Sequence, residues 1–154
     1  IYTLSLHDAL PICMVQLAMP VVYYSPVTFL YWYDLPNAYK GEKELDFWKH
    51  CPTVWDESKA LEGEIGEYIV QARCSGNDWF VGAMNGLQAR DVTLNTAEFL
   101  QKGKKYRVEI YNDDPSLQTR TKVSSTEMVI KAGKQLKLHL QASGGAALRF
   151  VPVK

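Results

Sequence analysis

EYIVQARCSGNDWFVGAMNG, residues 67–86, decides the fold. Tyr68, Val70, Ala72 and Cys74 alternate with Glu67, Ile69, Gln71 and Arg73, and after a Ser75-Gly76-Asn77-Asp78 turn Trp79, Val81 and Ala83 alternate with Phe80 and Met84. A period of two marks half-buried antiparallel strands, and Gly with Asn supplies the turn chemistry of a hairpin. Asn85-Gly86 reads as a second hairpin turn. The pattern continues outward through Val92 and Leu94, Tyr106, Val108 and Ile110, Leu136, Leu138 and Leu140, then Leu148 and Phe150. Asn112-Asp113-Asp114-Pro115, Ala132-Gly133-Lys134 and Ser143-Gly144-Gly145 punctuate it. Short strands at this spacing predict a mostly β chain, an antiparallel β-sandwich over residues 52–154. Pro152 places the last strand at an edge or ends it.

Before Pro52 the period is helical. Residues 13–51 read as a short helical segment: Gln16 to Tyr33 is apolar and interrupted by Pro20 and Pro26, and Asp34-Leu35-Pro36-Asn37 is a turn. Gly41 to Lys49 predicts a short helix with Leu45 and Trp48 on one face. No charge occurs from Ala9 to Tyr33, a length that could span a bilayer, but three prolines and several polar residues favour a buried element and no membrane span. This segment has too much apolar surface to stand by itself and calls for a larger partner.

Residues 1–12, IYTLSLHDALPI, back-translate through allowed codons to a string that resembles the end of a short-read sequencing adapter. They are set aside from fold reasoning, with His7 and Asp8, and the expectation is that the natural protein is longer than this chain.

The composition excludes several classes. Of 154 residues 47% are hydrophobic and 22% charged, with 17 basic against 17 acidic side chains, so no net field attracts nucleic acid. Lys102, Lys104 and Lys105 flank Gly103 as a solvated turn. Cys13, Cys51 and Cys74 form no metal-ligand spacing, and a Cys51–Cys74 disulfide is open. His50 beside Cys51 falls short of the three or four ligands of a zinc site. His139 alternates with leucines and should face solvent or the other layer. Asp56 with Glu57, and Asp113 with Asp114, are adjacent pairs whose side chains diverge on extended backbone, so neither pair can act as acid and base on one bond. Gly133-Lys134 lacks the upstream glycines of a phosphate loop. Trp79 and Phe80 are the candidates for a sugar-stacking surface, one ring on each face of a strand; packing in the core and between layers is the competing expectation.

Gln16-Leu17-Ala18 through Val21-Val22-Tyr23-Tyr24-Ser25-Pro26, then Pro52-Thr53-Val54-Trp55-Asp56-Glu57, Leu61-Glu62-Gly63 with Gly66-Glu67-Tyr68-Ile69 and Ala72-Arg73, and Trp79-Phe80-Val81-Gly82 resemble, in that order, motifs of glycoside hydrolase family 97. Ser143-Gly144-Gly145 resembles its closing Gly-rich strand. The resemblance covers residues 14–154, and Pro20 and Tyr31-Trp32-Tyr33 depart from it. It implies that residues 13–51 are the helical remnant of a (β/α)8 catalytic barrel and residues 52–154 the C-terminal sandwich. It further implies a calcium-dependent, exo-acting α-glycosidase of α-linked glucosides or galactosides, periplasmic or secreted. Inverting members use a glutamate acid and base, retaining members a carboxylate nucleophile. Such groups sit at the C-terminal ends of barrel strands, ahead of the final helix. No catalytic or metal residue is therefore expected here, and the partner is the barrel of the same protein. The alternative is a carbohydrate-binding module without catalysis.

Overall fold

The computed structural model describes residues 14–25, 41–119 and 121–153. The adapter-like stretch, Cys13, Pro26 and the Tyr31–Asn37 readings lie outside the described residues. Two helices, α1 (Met14–Val22) and α2 (Leu45–His50), precede eight strands. These are β1 (Glu57–Glu64), β2 (Tyr68–Ser75), β3 (Asp78–Asn85), β4 (Arg90–Asn95), β5 (Lys105–Asp113), β6 (Val123–Lys131), β7 (Gln135–Leu140) and β8 (Gly145–Pro152).

Six strands form one sheet in the order β1-β2-β3-β8-β5-β6, and β4 pairs with β7 in a second, two-stranded sheet. Every pairing is antiparallel. The sandwich is thus unequal. The small sheet covers one face of the large one, and the two helices cover part of the other.

Period-two alternation explains both layers. Val70, Ala72, Trp79, Val81, Ala83, Leu148 and Phe150 face inward against Val92, Leu94, Leu136, Leu138 and Leu140. The opposite residues of the same strands, Phe80 and Ala147, join Met14, Leu17, Val21, Phe47, Tyr111 and Val123 in a separate cluster under the helices. In β7 the burial alternates without a break, leucines in and Gln135, Lys137 and His139 out.

One expectation is corrected, and the others gain detail. Asn85-Gly86 does not turn a hairpin, because the next strand belongs to the other sheet. Asn85 is buried, and its side-chain amide donates to the carbonyls of Gln88 (2.7 Å) and Gln141 (2.8 Å). It locks a crossover between layers. The hairpin at Ser75–Asp78 is real, with Gly76 at φ 61°. Pro152 ends β8, one of the two outcomes expected of it, and β8 itself lies between β3 and β5. In α2 the buried residue is Phe47, while Leu45 and Trp48 are half-buried. Cys51 and Cys74 are free thiols in the two different clusters, on opposite faces of the sheet, so no disulfide joins them.

Candidate functional site

The helix-bearing face of the large sheet is shaped to hold α1 at three points. The helix itself is apolar where it meets the sheet, with Met14, Leu17, Ala18 and Val21 fully buried. Pro20 lies inside it and forgoes one backbone hydrogen bond.

Under the middle of α1 the sheet offers Gly82. A Cβ built there would lie 2.8 Å from the Ala18 carbonyl oxygen and 2.9 Å from Val21 Cβ. The absent side chain is what lets helix backbone approach strand backbone.

At the C-terminal end, Arg73 of β2 is buried at 4% exposure and reaches the last helical carbonyls. Its Nε donates to the Val21 oxygen at 2.5 Å and its Nη2 to the Val22 oxygen at 3.3 Å, while Nη1 donates to Ser58 Oγ at 3.1 Å. The Tyr24 ring stacks 5.3 Å from the guanidinium. Burial lowers the pKa of Arg73 from its ordinary value. A guanidinium remains charged in such a place, and here the helix C-terminus supplies the compensating negative end.

At the N-terminal end stands Asp113, the last residue of β5. Its carboxylate accepts from the Gly145 N–H at 2.9 Å and from the Met14 N–H at 3.4 Å. Burial raises its pKa, opposed by those two donors. A negative group at the helix start and a positive group at its end match the helix dipole.

Beside α1, an aromatic cluster seats α2. Phe47 meets Phe80 and Tyr111 edge-to-face, both at 5.8 Å between ring centroids, and Trp55 meets Phe80 at 5.4 Å. Burial pushes the Tyr111 hydroxyl and the Cys51 thiol each up to about 12. Glu44 Oε1 and Trp55 Nε1 are buried here without a hydrogen-bond partner among the described residues.

The other candidates are dispersed. Trp79 is 7% exposed, packs on Phe99 at 5.4 Å and carries Lys59 Nζ over its ring at 5.4 Å. Phe80 is 2% exposed under the helical layer. Neither ring offers a face to a sugar, which corrects the stacking reading: strand alternation sent one to each core. Asp56 accepts from the Gly76 N–H at 2.7 Å, and Glu57 pairs with Lys59 at 3.1 Å. Asp114 accepts from the backbone N–H and hydroxyl of Ser116, a turn role. His50 Nδ1 lies 2.7 Å from the Asp46 carbonyl oxygen, and His139 Nδ1 lies 2.6 Å from Asp91 Oδ1 on the exposed face of the small sheet. Lys102, Lys104 and Lys105 are exposed around Gly103, as Lys134 is beside Gly133. Calcium takes six to eight oxygens. Among the described residues no group of three or more His, Cys, Asp or Glu is placed to hold a metal ion. No helix among them is long and apolar enough to cross a membrane.

Sequence reasoning weighed Asp113 as a catalytic carboxylate and a turn acceptor and passed over Arg73 and Gly82 as site residues. One signal was available. A glycine directly after Trp-Phe-Val interrupts the strand pattern, whereas Arg73 falls where the alternation already expects a polar residue and so gave no signal.

Residues 54–151 match the family model described as glycosyl-hydrolase 97 C-terminal, oligomerisation. The chain is 39% identical over 137 residues to a retaining alpha-galactosidase of Bacteroides thetaiotaomicron, covering 88% of this chain and 20% of that protein. The structure matches a glycoside hydrolase family 97 enzyme of Pseudoalteromonas sp. strain K8, solved with acarbose, at TM-score 0.80 and 34% identity, over 92% of this chain and 22% of that one. A beta-arabinopyranosidase matches at TM-score 0.70 and 29% identity, over 88% of this chain and 20% of that one. The chain spans about a fifth of the length of these relatives.

Proposed function

This chain belongs to glycoside hydrolase family 97, as part of the C-terminal region whose role is oligomerisation, and on that footing we propose that it is the accessory end of an exo-acting α-glycosidase. In this reading the catalytic barrel precedes residue 14, and α1 is its last helix. The observation that carries the reading is the cradle. Arg73, Gly82 and Asp113 sit on sandwich strands yet spend their chemistry on a helix from outside the sandwich. A sheet that places a buried arginine under a foreign helix terminus is built to be joined to the domain that owns the helix.

The substrate class is α-linked galactosides or glucosides, the former put first because of the alpha-galactosidase relative. Calcium and the reacting carboxylates belong to the barrel, and the whole protein works in the periplasm or outside the cell. The chain by itself should not turn over substrate. Nitrophenyl α-galactoside and α-glucoside, incubated with the 154-residue chain and calcium, test this directly. No release of nitrophenol is expected, whereas the same chain carrying its barrel should release it. Clear turnover by the chain without a barrel overturns the reading.

A further inference from the structure

We infer that copies of this chain associate through the paired turns that carry Ile65 and Leu87. The inference rests on the oligomerisation role of the family's C-terminal region and adds the surface that performs it.

Ile65 is fully exposed (102%) and Leu87 nearly so (88%), the two most exposed large aliphatic residues among those described. They sit on neighbouring turns, because the Gly86 N–H donates to the Glu67 carbonyl at 2.6 Å. Beside them Tyr23, Ile69 and Met84 line an open concavity between α1, the β1–β2 hairpin and the end of β3. An exposed apolar patch with a polar rim marks a contact site more often than a free surface.

The turns are also held in place before any partner arrives. Arg90 stacks on Tyr68 at 4.2 Å, donates to Glu67 at 2.6 Å and to Asn85 at 2.8 Å, and Tyr68 donates to Glu62 at 2.7 Å. A surface ordered in advance loses less entropy on binding.

Two other surfaces fit self-association poorly. The outer face of the small sheet presents Asp91, Thr93, Lys137 and His139. The free edge of β1 carries Glu57, Lys59, Glu62 and Glu64 and is broken by a bulge between Ala60 and Glu62, devices that prevent strand-to-strand pairing. A second copy is the fitting occupant because the region's family role is oligomerisation and 17 basic against 17 acidic side chains leave no net repulsion between copies. A two-fold axis through the patch would lay it against itself, the commonest arrangement of homo-oligomers.

Sedimentation equilibrium of the 154-residue chain tests the surface in three forms: wild type, Ile65→Glu with Leu87→Glu, and Val129→Glu as a control at an exposed position on β6. The wild type should dimerise. The double variant should dimerise about tenfold or more weakly, with an unchanged thermal melt since both side chains project into solvent, and the control should match wild type. If all three assemble alike, the patch is wrong while the oligomerisation role stands. A wild type that stays monomeric at every concentration overturns that role for this chain, and the patch with it.

Discussion

On one face of the six-stranded sheet Val81 and Leu148 meet Leu138 and Leu140; on the other, Gly82 and Arg73 of the neighbouring positions meet a helix. The first contact is made of aliphatic side chains from strands of the same sandwich. Its stabilisation is proportional to area and has little direction. The second contact depends on a missing side chain, a guanidinium and a carboxylate at fixed places. It recognises one helix in one polarity. The comparison teaches that the inner face makes the domain fold, while the helix face decides what the domain is attached to.

The largest expected effect lies on the inner face. Leu148 is fully buried at the centre of β8. Leu148→Ala should cost about 2–5 kcal/mol by urea unfolding, since it leaves a cavity among well-packed neighbours. Both layers should then melt in one transition. A loss under about 1 kcal/mol would mean that the inner face is not the common core supposed here.

A smaller and more local effect is expected at Gly82. Gly82→Ala puts a methyl group against the Ala18 carbonyl and Val21, so α1 must lift. The cost should be about 1–3 kcal/mol, typical of overpacking. Hydrogen exchange should show lost protection in residues 14–22, with β4 and β7 of the small sheet unchanged. Equal loss of protection on both faces would erase the distinction between a folding face and an attachment face.

The same contrast explains how much the sequence discloses. Strands with one buried face announced themselves by alternation, as in Leu136, Leu138 and Leu140 of β7. Strands β1 and β6 did not. Both are edges of the large sheet, and residues such as Ser58, Glu62, Ser125 and Glu127 are exposed, so neither shows a clean period of two. The Asn85-Gly86 reading failed because local turn propensity is silent on which sheet takes the next strand. The cradle was hidden for a related reason. Arg73, Gly82 and Asp113 lie on three strands, β2, β3 and β5, and only the strand order, with β8 inserted between β3 and β5, brings them under one helix.

The smallest effect expected is also the one that best separates the two ends of the cradle. Burial raises the Asp113 pKa above its ordinary 3.8, and the Gly145 and Met14 amides work against that rise. A carboxyl whose folded pKa is raised binds its proton more tightly in the folded state than in the unfolded one. Between the ordinary value and the raised value the folded chain therefore holds more protons, and stability falls as pH rises through that window. Asp113→Asn removes the titration. Urea unfolding of both forms from pH 7 downward should show the wild type gaining on the variant as the solution becomes acidic. The opposite trend would mean that the two amide donors and the helix start outweigh burial. Asp113 would then favour α1 as a charge, as Arg73 does at the other end. A trend in the expected direction leaves the cradle asymmetric, with a charge compensated at the helix C-terminus and one tolerated at the N-terminus.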